Sequence, residues 1–299
     1  MIYKYEKFSR NLLIITPVFL WLLVFFLVPF IIVTAISFSE ISDNVPPYIP
    51  MLSIAPNFEE INFRLFFANY KLLITDSIYV NTYFESLKIA ICSTILTLLI
   101  AYPVAYRIAR THESKRGFLL MLVIIPFWTS LLIRVYAWMT LLSTNGVINQ
   151  WLMELRVISS PLNLINNDYA VIVGIAYCYM PFMVIPLYSA LEKIDPSLIE
   201  AAMDLGCKPH KAFFRVTMPL SLPGIVTGSL LVFIPAIGEF VIPSLLGGSQ
   251  VNSIGKILWN EFFLNHDWPT ASAITIISTI IITAPFMLAQ KIISKRGMA

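Results

Sequence analysis

A chain of 299 residues that is 58% hydrophobic and only 12% charged has too little polar surface to cover a soluble domain of its size. Its mean hydropathy of +0.79 requires a bilayer as solvent. The net charge of +3 gives no footing for nucleic acid, and Cys92, Cys178 and Cys207 lie too far apart, without ligand spacing, for a disulfide or zinc site to be expected.

Lys4, Lys7 and Arg10 precede an apolar run over about 11–36. Secretory signal cores are about 7 to 15 residues long, so this longer run is read as a retained first span. Further runs follow at about 86–109, 117–142, 169–191, 220–243 and 270–290, each near the ~20 residues that cross the hydrocarbon core. None alternates with period two, so the spans are helices that satisfy their own backbone in lipid. The expected fold is all-α, a polytopic bundle of six transmembrane helices forming one membrane domain over 1–299.

The connections are unequal. Residues 37–85 form the longest, with an irregular, proline-containing first part (Pro46, Pro47, Pro50) and then an amphipathic stretch, Phe66 to Leu73, suited to a membrane surface. With both termini in the cytoplasm, the inner segments hold Lys4, Lys7, Arg10, Arg107, Arg110, Lys115, Arg116, Lys193, Lys208, Lys211, Arg215, Lys291, Lys295 and Arg296. The outer ones hold only Arg64, Lys71, Lys88, Arg156 and Lys256, and Arg134 falls inside the third span. This bias sets the orientation. It also leaves the outer segments acidic, which would attract a cation, although exclusion of Lys and Arg produces the same imbalance with no substrate at all.

The inner connection at 195–219 departs from ordinary loop composition. Asp195-Pro196-Ser197 starts a helix, Gly206 closes it in a left-handed cap, and Pro209 opens a second short helix that Pro219 ends. Ala201 and Ala202 allow close approach, and Glu200 and Asp204 share one helical face. A plain amphipathic linker is the bland alternative. The order of Glu200, Ala201, Ala202, Gly206 and Pro219 weighs against it: the segment resembles the EAA motif of importer-type ATP-binding cassette permeases, with Val216 and Met218 as conservative departures. That resemblance implies a coupling helix seated in a groove of an ATPase subunit, with Glu200, Ala201, Ala202, Asp204, Gly206 and Pro219 as the coupling residues.

No glycine begins a phosphate-binding GxxxxGK[ST] loop, since Gly255-Lys256 is followed by Ile257. The chain is therefore expected to need no cofactor of its own, to be no enzyme, and to rely on ATP held by partner subunits. Segments across most of the chain, among them 126–134, 142–146, 180–188, 238–243 and Asp267-Trp268-Pro269, resemble permeases of the spermidine/putrescine import family, most closely the putrescine type. The family implies two ATPase subunits, a second permease of different sequence, an external polyamine-binding protein, and a bacterial inner membrane.

A polyamine path calls for carboxylates and aromatic faces. Glu239, beside Gly238 and after Pro235, is the intramembrane acid, placed where a helix break would open carbonyls to a cavity. Its plain alternative is pairing with Arg134 or packing, because Gly-Glu-Phe here also resembles anion permeases. Trp128, Arg134, Tyr136, Trp138, Tyr177 and Tyr179 are the further path candidates, although such aromatics more often serve core or interface. Readings from other classes are weaker. His112, His210 and His266 are dispersed, against a membrane enzyme, and Glu239 alone lies within a span, against an ion-coupled transporter. A cassette permease for an anion or thiamine is the nearer alternative.

Overall fold

The computed structural model describes residues 16–54 and 61–295. Lys4, Lys7, Arg10, Arg296 and the start of the first apolar run lie outside the described residues. Helix α1 covers Thr16–Ser37. Within it Leu23–Leu27 widens into a π turn, just ahead of Pro29, whose ring would clash with the carbonyl one turn back in a regular helix. A second π turn, Phe213–Thr217, stands in the same relation to Pro219.

The contacts gather into two compact units. The first holds residues up to Ser77 together with Leu258–Ile280. Here α1 is exposed from Thr16 to Ile32, as a lipid-facing helix should be. The connection expected to be irregular contains two antiparallel hairpins instead: β1 (Glu40–Ile41) pairs with β2 (Tyr48–Ile49), and β3 (Leu52–Ile54) with β4 (Ile61–Phe63). Prolines mark the turn of the first, and strands this short carry no readable alternation. Helix α2 (Ala68–Thr75) follows. Its Asn69 side chain donates to the carbonyls of Ser37 (3.0 Å) and Ser39 (2.9 Å), which ties down the end of α1.

The second unit holds Ile78–Ile257 and the chain from Ile281 onward. Helix α3 runs unbroken over Ser77–Ala109, starting nine residues before the expected span because Ser77–Glu85 extends the same helix. The third span is not continuous. It divides into α4 (Glu113–Ile124), a 3-10 turn over Ile125–Trp128, and α5 (Leu131–Leu142). Pro126 withholds a backbone donor there, and Thr129 and Ser130 are extended. Short α6 (Val147–Glu154) and long α7 (Asp168–Glu192) follow.

The 195–219 connection forms α8 (Pro196–Asp204) and α9 (Pro209–Leu220), and α9 meets α10 (Leu222–Ile237) at a bend of 65°. Pro219 thus lies inside the last turn of α9 rather than ending it, because the π turn before it absorbs the ring. The fifth expected span ends at Ile237 and restarts as α11 (Val241–Leu246). Helices α12 (Ile254–Trp259) and α13 (Trp268–Lys295) complete the described chain.

The core of this unit is α10 laid on α7, with Ala101, Ala105 and Ile108 of α3 and Met183, Leu187 and Leu191 of α7 buried around Val232. Two glycines one turn apart on α10 set the spacing. A Cβ at Gly224 would stand 2.6 Å from the Ala190 Cβ and 2.7 Å from the Pro186 carbonyl, and one at Gly228 would stand 2.8 Å from the Met183 sulfur. This is the small-residue packing by which membrane helices approach closely.

Candidate functional site

The knob at 195–219 is built by local rules. Asp195 caps α8 by accepting from the Ser197 backbone N–H at 2.9 Å. At the other end Gly206 adopts φ +85°, the left-handed conformation that glycine takes without strain. Around it Gly206 N–H donates to the Met203 carbonyl (2.8 Å) and Cys207 N–H to the Ala202 carbonyl (3.0 Å), closing a Schellman cap. Pro209 then stands in the first turn of α9. Glu200, Ala201, Asp204 and Gly206 are exposed and Ala202 is half-buried. Beside these charges Leu198, Met203 and Phe214 are exposed apolar side chains, and Leu205 is 88% exposed. These four belong to no motif in the sequence, where their one signal is apolar character next to the cap.

The intramembrane candidates divide into those the fold gathers and those it leaves apart. Glu239, only 8% exposed, sits in the break between α10 and α11. One carboxylate oxygen accepts from the backbone N–H groups of Val241 (3.0 Å) and Ile242 (3.5 Å), and the other accepts from the Tyr179 hydroxyl. The carboxylate therefore caps the restarted helix, where negative charge is favoured. Arg134, also 8% exposed, donates to the Cys178 carbonyl at 3.2 Å and lies 5.4 Å from the Phe127 ring centre. It is held by that carbonyl and ring, not by an ion pair to Glu239.

Phe127 packs edge-on to Phe182, and Phe182 neighbours Tyr179, so an aromatic row runs from Arg134 to the Glu239 carboxylate. Phe127 and Phe182 were not singled out from sequence, because apolar aromatics in a span look alike whether they line a path or fill a core. Trp138 meets Tyr177 edge-on at 5.6 Å, apart from that row. Trp128, 80% exposed, and the exposed Tyr136 are not gathered into it. The Gly238 and Glu239 carbonyls face Gly255, where a Cβ would stand 2.4 Å and 2.8 Å from them, and the Ser253 hydroxyl donates to the Glu239 carbonyl at 3.2 Å. The three cysteines are free thiols.

Comparison with known proteins follows the same lines. The family model described as "binding-protein-dependent transport system inner membrane component" matches residues 7–297. The spermidine/putrescine transport system permease protein PotB of Haemophilus influenzae is 37% identical over 278 residues, 93% of this chain and 90% of that protein. PotB of Escherichia coli is 38% identical over 261 residues, 87% and 90% of the two chains. Among solved structures, a chain of a bacterial alginate ABC transporter, crystallised with an alginate-pentasaccharide-bound periplasmic protein, superposes with a TM-score of 0.74. It covers 98% of both chains at 16% identity, a likeness of fold alone.

Proposed function

Since the chain belongs to the family of binding-protein-dependent transport system inner membrane components, we infer that it is the permease subunit of an ATP-driven importer whose cargo is a polyamine such as putrescine or spermidine. It is a multi-pass inner-membrane protein and not an enzyme; the hydrolase is a separate subunit. The observation that carries the coupling role is the 195–219 knob, capped at both ends of α8 and exposing Leu198, Glu200, Ala201, Asp204 and Leu205 together. A stiff projection of this kind transmits the movement of a partner's groove, whereas a slack loop would absorb it.

In this reading both termini lie in the cytoplasm, the knob seats in one of two ATP-binding cassette subunits, and a second, different permease chain completes the path. A polyamine-binding protein delivers cargo at the outer face, and this chain binds no cofactor. Glu239 supplies the carboxylate that meets an ammonium group once Tyr179 withdraws, while the Phe127–Phe182–Tyr179 row offers aromatic faces to the extended cation. Arg134 stands at the far end of that row as the fixed positive charge that limits how deep a second ammonium rests. Reconstitution with the partner subunits and binding protein tests this by comparing ATPase stimulation by putrescine, spermidine and a small oxyanion. Stimulation by the oxyanion alone would overturn the polyamine assignment.

A further inference from the structure

We propose that Tyr102 and Tyr106 at the inner end of α3 and Arg110, which directly follows it and whose amide still bonds the Tyr106 carbonyl, are positioning residues that hold the coupling knob and carry its movement into α3. The proposal rests on the reading of 195–219 as a coupling loop. The three residues recur every fourth position, so they lie one above another on a single helical face. Both ends of the knob are fastened to that face.

Where the chain enters the knob, Arg110 donates through Nη1 to the carbonyl of Ile194, the residue just before the Asp195 cap, and its guanidinium lies 5.8 Å from the Tyr106 ring centre. The elbow beyond α3 adds a second tie. Arg116 donates to the Thr111 carbonyl at 2.8 Å and pairs with Glu192 at 3.0 Å, holding the last turn of α7. Where the chain leaves the knob, Phe213 sits edge-on to both Tyr102 (5.5 Å) and Tyr106 (5.8 Å), and the Tyr102 hydroxyl bonds the Ser221 hydroxyl at 2.7 Å, at the bend between α9 and α10.

The other side of the knob is open. A groove of about 750 Å³, lined by Ile185, Lys193, Asp195, Leu198, Leu220 and Thr227, separates the start of α8 from the lower part of α10. The groove gives the start of α8 room to move directly, while the Ile194 carbonyl and Phe213 make that movement carry Arg110 and Tyr106 with it. Pro103, between Tyr102 and Tyr106, lacks the amide that would tie this stretch to the turn above. The inner end of α3 can follow the knob at the cost of little further backbone bonding.

Arg110→Met is the informative substitution. The Nε and Nη2 of Arg110 make no bond among the described residues, so methionine in its place gives up the Nη1 bond to the Ile194 carbonyl and the contact with the Tyr106 ring and no other hydrogen bond of that side chain. The complete complex, reconstituted with its ATPase subunits and binding protein, is assayed for putrescine transported per ATP hydrolysed. With Arg110→Met and Tyr106→Leu the ATPase subunits stay bound and hydrolysis still responds to loaded binding protein, while transport per ATP falls on the order of tenfold. Arg110→Lys, which keeps a donor for the Ile194 carbonyl, restores most of it. Should Tyr106→Leu fail to assemble, Arg110→Met and Arg110→Lys carry the test alone. Wild-type transport per ATP in Arg110→Met, beside an uncoupled Gly206→Val control, would overturn the clamp and leave the coupling loop standing. Normal coupling in Gly206→Val would overturn the loop reading itself.

Discussion

At the scale of single residues, burial decides what each polar group does. Glu239 is fully bonded within its own chain, by two amides and the Tyr179 hydroxyl, so any cargo must replace a donor rather than fill an open site. Glu239→Gln keeps the size and an acceptor but removes the charge. Its expected outcome is a raised apparent KM for polyamine with basal ATPase activity retained, and unchanged uptake and affinity would end its role as a cargo contact. Asp195 makes a pH prediction with a definite sign. The Ser197 backbone N–H, and then its hydroxyl, hold the Asp195 carboxyl below the usual carboxylate range. A carboxyl lowered in the folded state stabilises above its unfolded value of about 3.9, and that contribution disappears as pH falls through the folded value. Protection of the Ser197 amide, its hydrogen exchange measured against the unstructured rate at the same pH, should fall in that acidic window and should show no such step in Asp195→Asn, which still caps but cannot titrate.

At the scale of elements, the legible parts are those whose conformation is set locally. Asp195, Gly206 and Pro209 each favour one backbone arrangement whatever surrounds them, and α8 and the start of α9 fall where those residues put them. Gly206→Val tests the cap in isolation. Nothing lies within 4 Å of the Cβ it adds, so its cost is the left-handed backbone alone, about 1–2 kcal/mol; the measurement is hydrolysis retained against uptake lost. The break at Glu239 was legible from Pro235 and Gly238, whereas the one inside the third span was not. The composition of 117–142 is the same whether the helix continues or stops, and only Pro126, followed by Thr129 and Ser130, hinted at the interruption. Pairings such as Tyr179 with Glu239 were hidden as well, because helical periodicity says which residues share a face and nothing of which faces meet. The α7–α10 contact depends on absent side chains, and Gly224→Val should push a methyl into the Pro186 carbonyl and Ala190. A loss of about 1–3 kcal/mol follows for such overpacking, read as a lower unfolding midpoint of the purified protein.

At the scale of the whole molecule, the spans were legible in the sequence because membrane solvation imposes length and composition on a helix before packing does. Among the described residues five helical stretches are long and apolar enough to cross, namely α1, α3, α7, α13 and the Leu131–Glu154 stretch of α5 and α6, and α9 with α10 makes a sixth if that bent pair is one span. Orientation rests on the basic residues, and a cysteine placed at Glu200 in a cysteine-free background should react with a membrane-impermeant thiol reagent only in inverted vesicles. Labelling from outside would reverse the topology. Depleting ATP while keeping the ion gradient should abolish uptake, and persistence would favour an ion-coupled carrier. The bare apolar tip at Leu205, with Leu198, Met203 and Phe214 around it, has a cost when no companion covers it. In the proposed topology, a copy synthesised in excess of its hydrolase presents greasy side chains to the cytosol, the signal on which proteolytic quality control acts. Cellular abundance of this chain should therefore track expression of the companion, and Leu205→Ser should lengthen the half-life of the orphan.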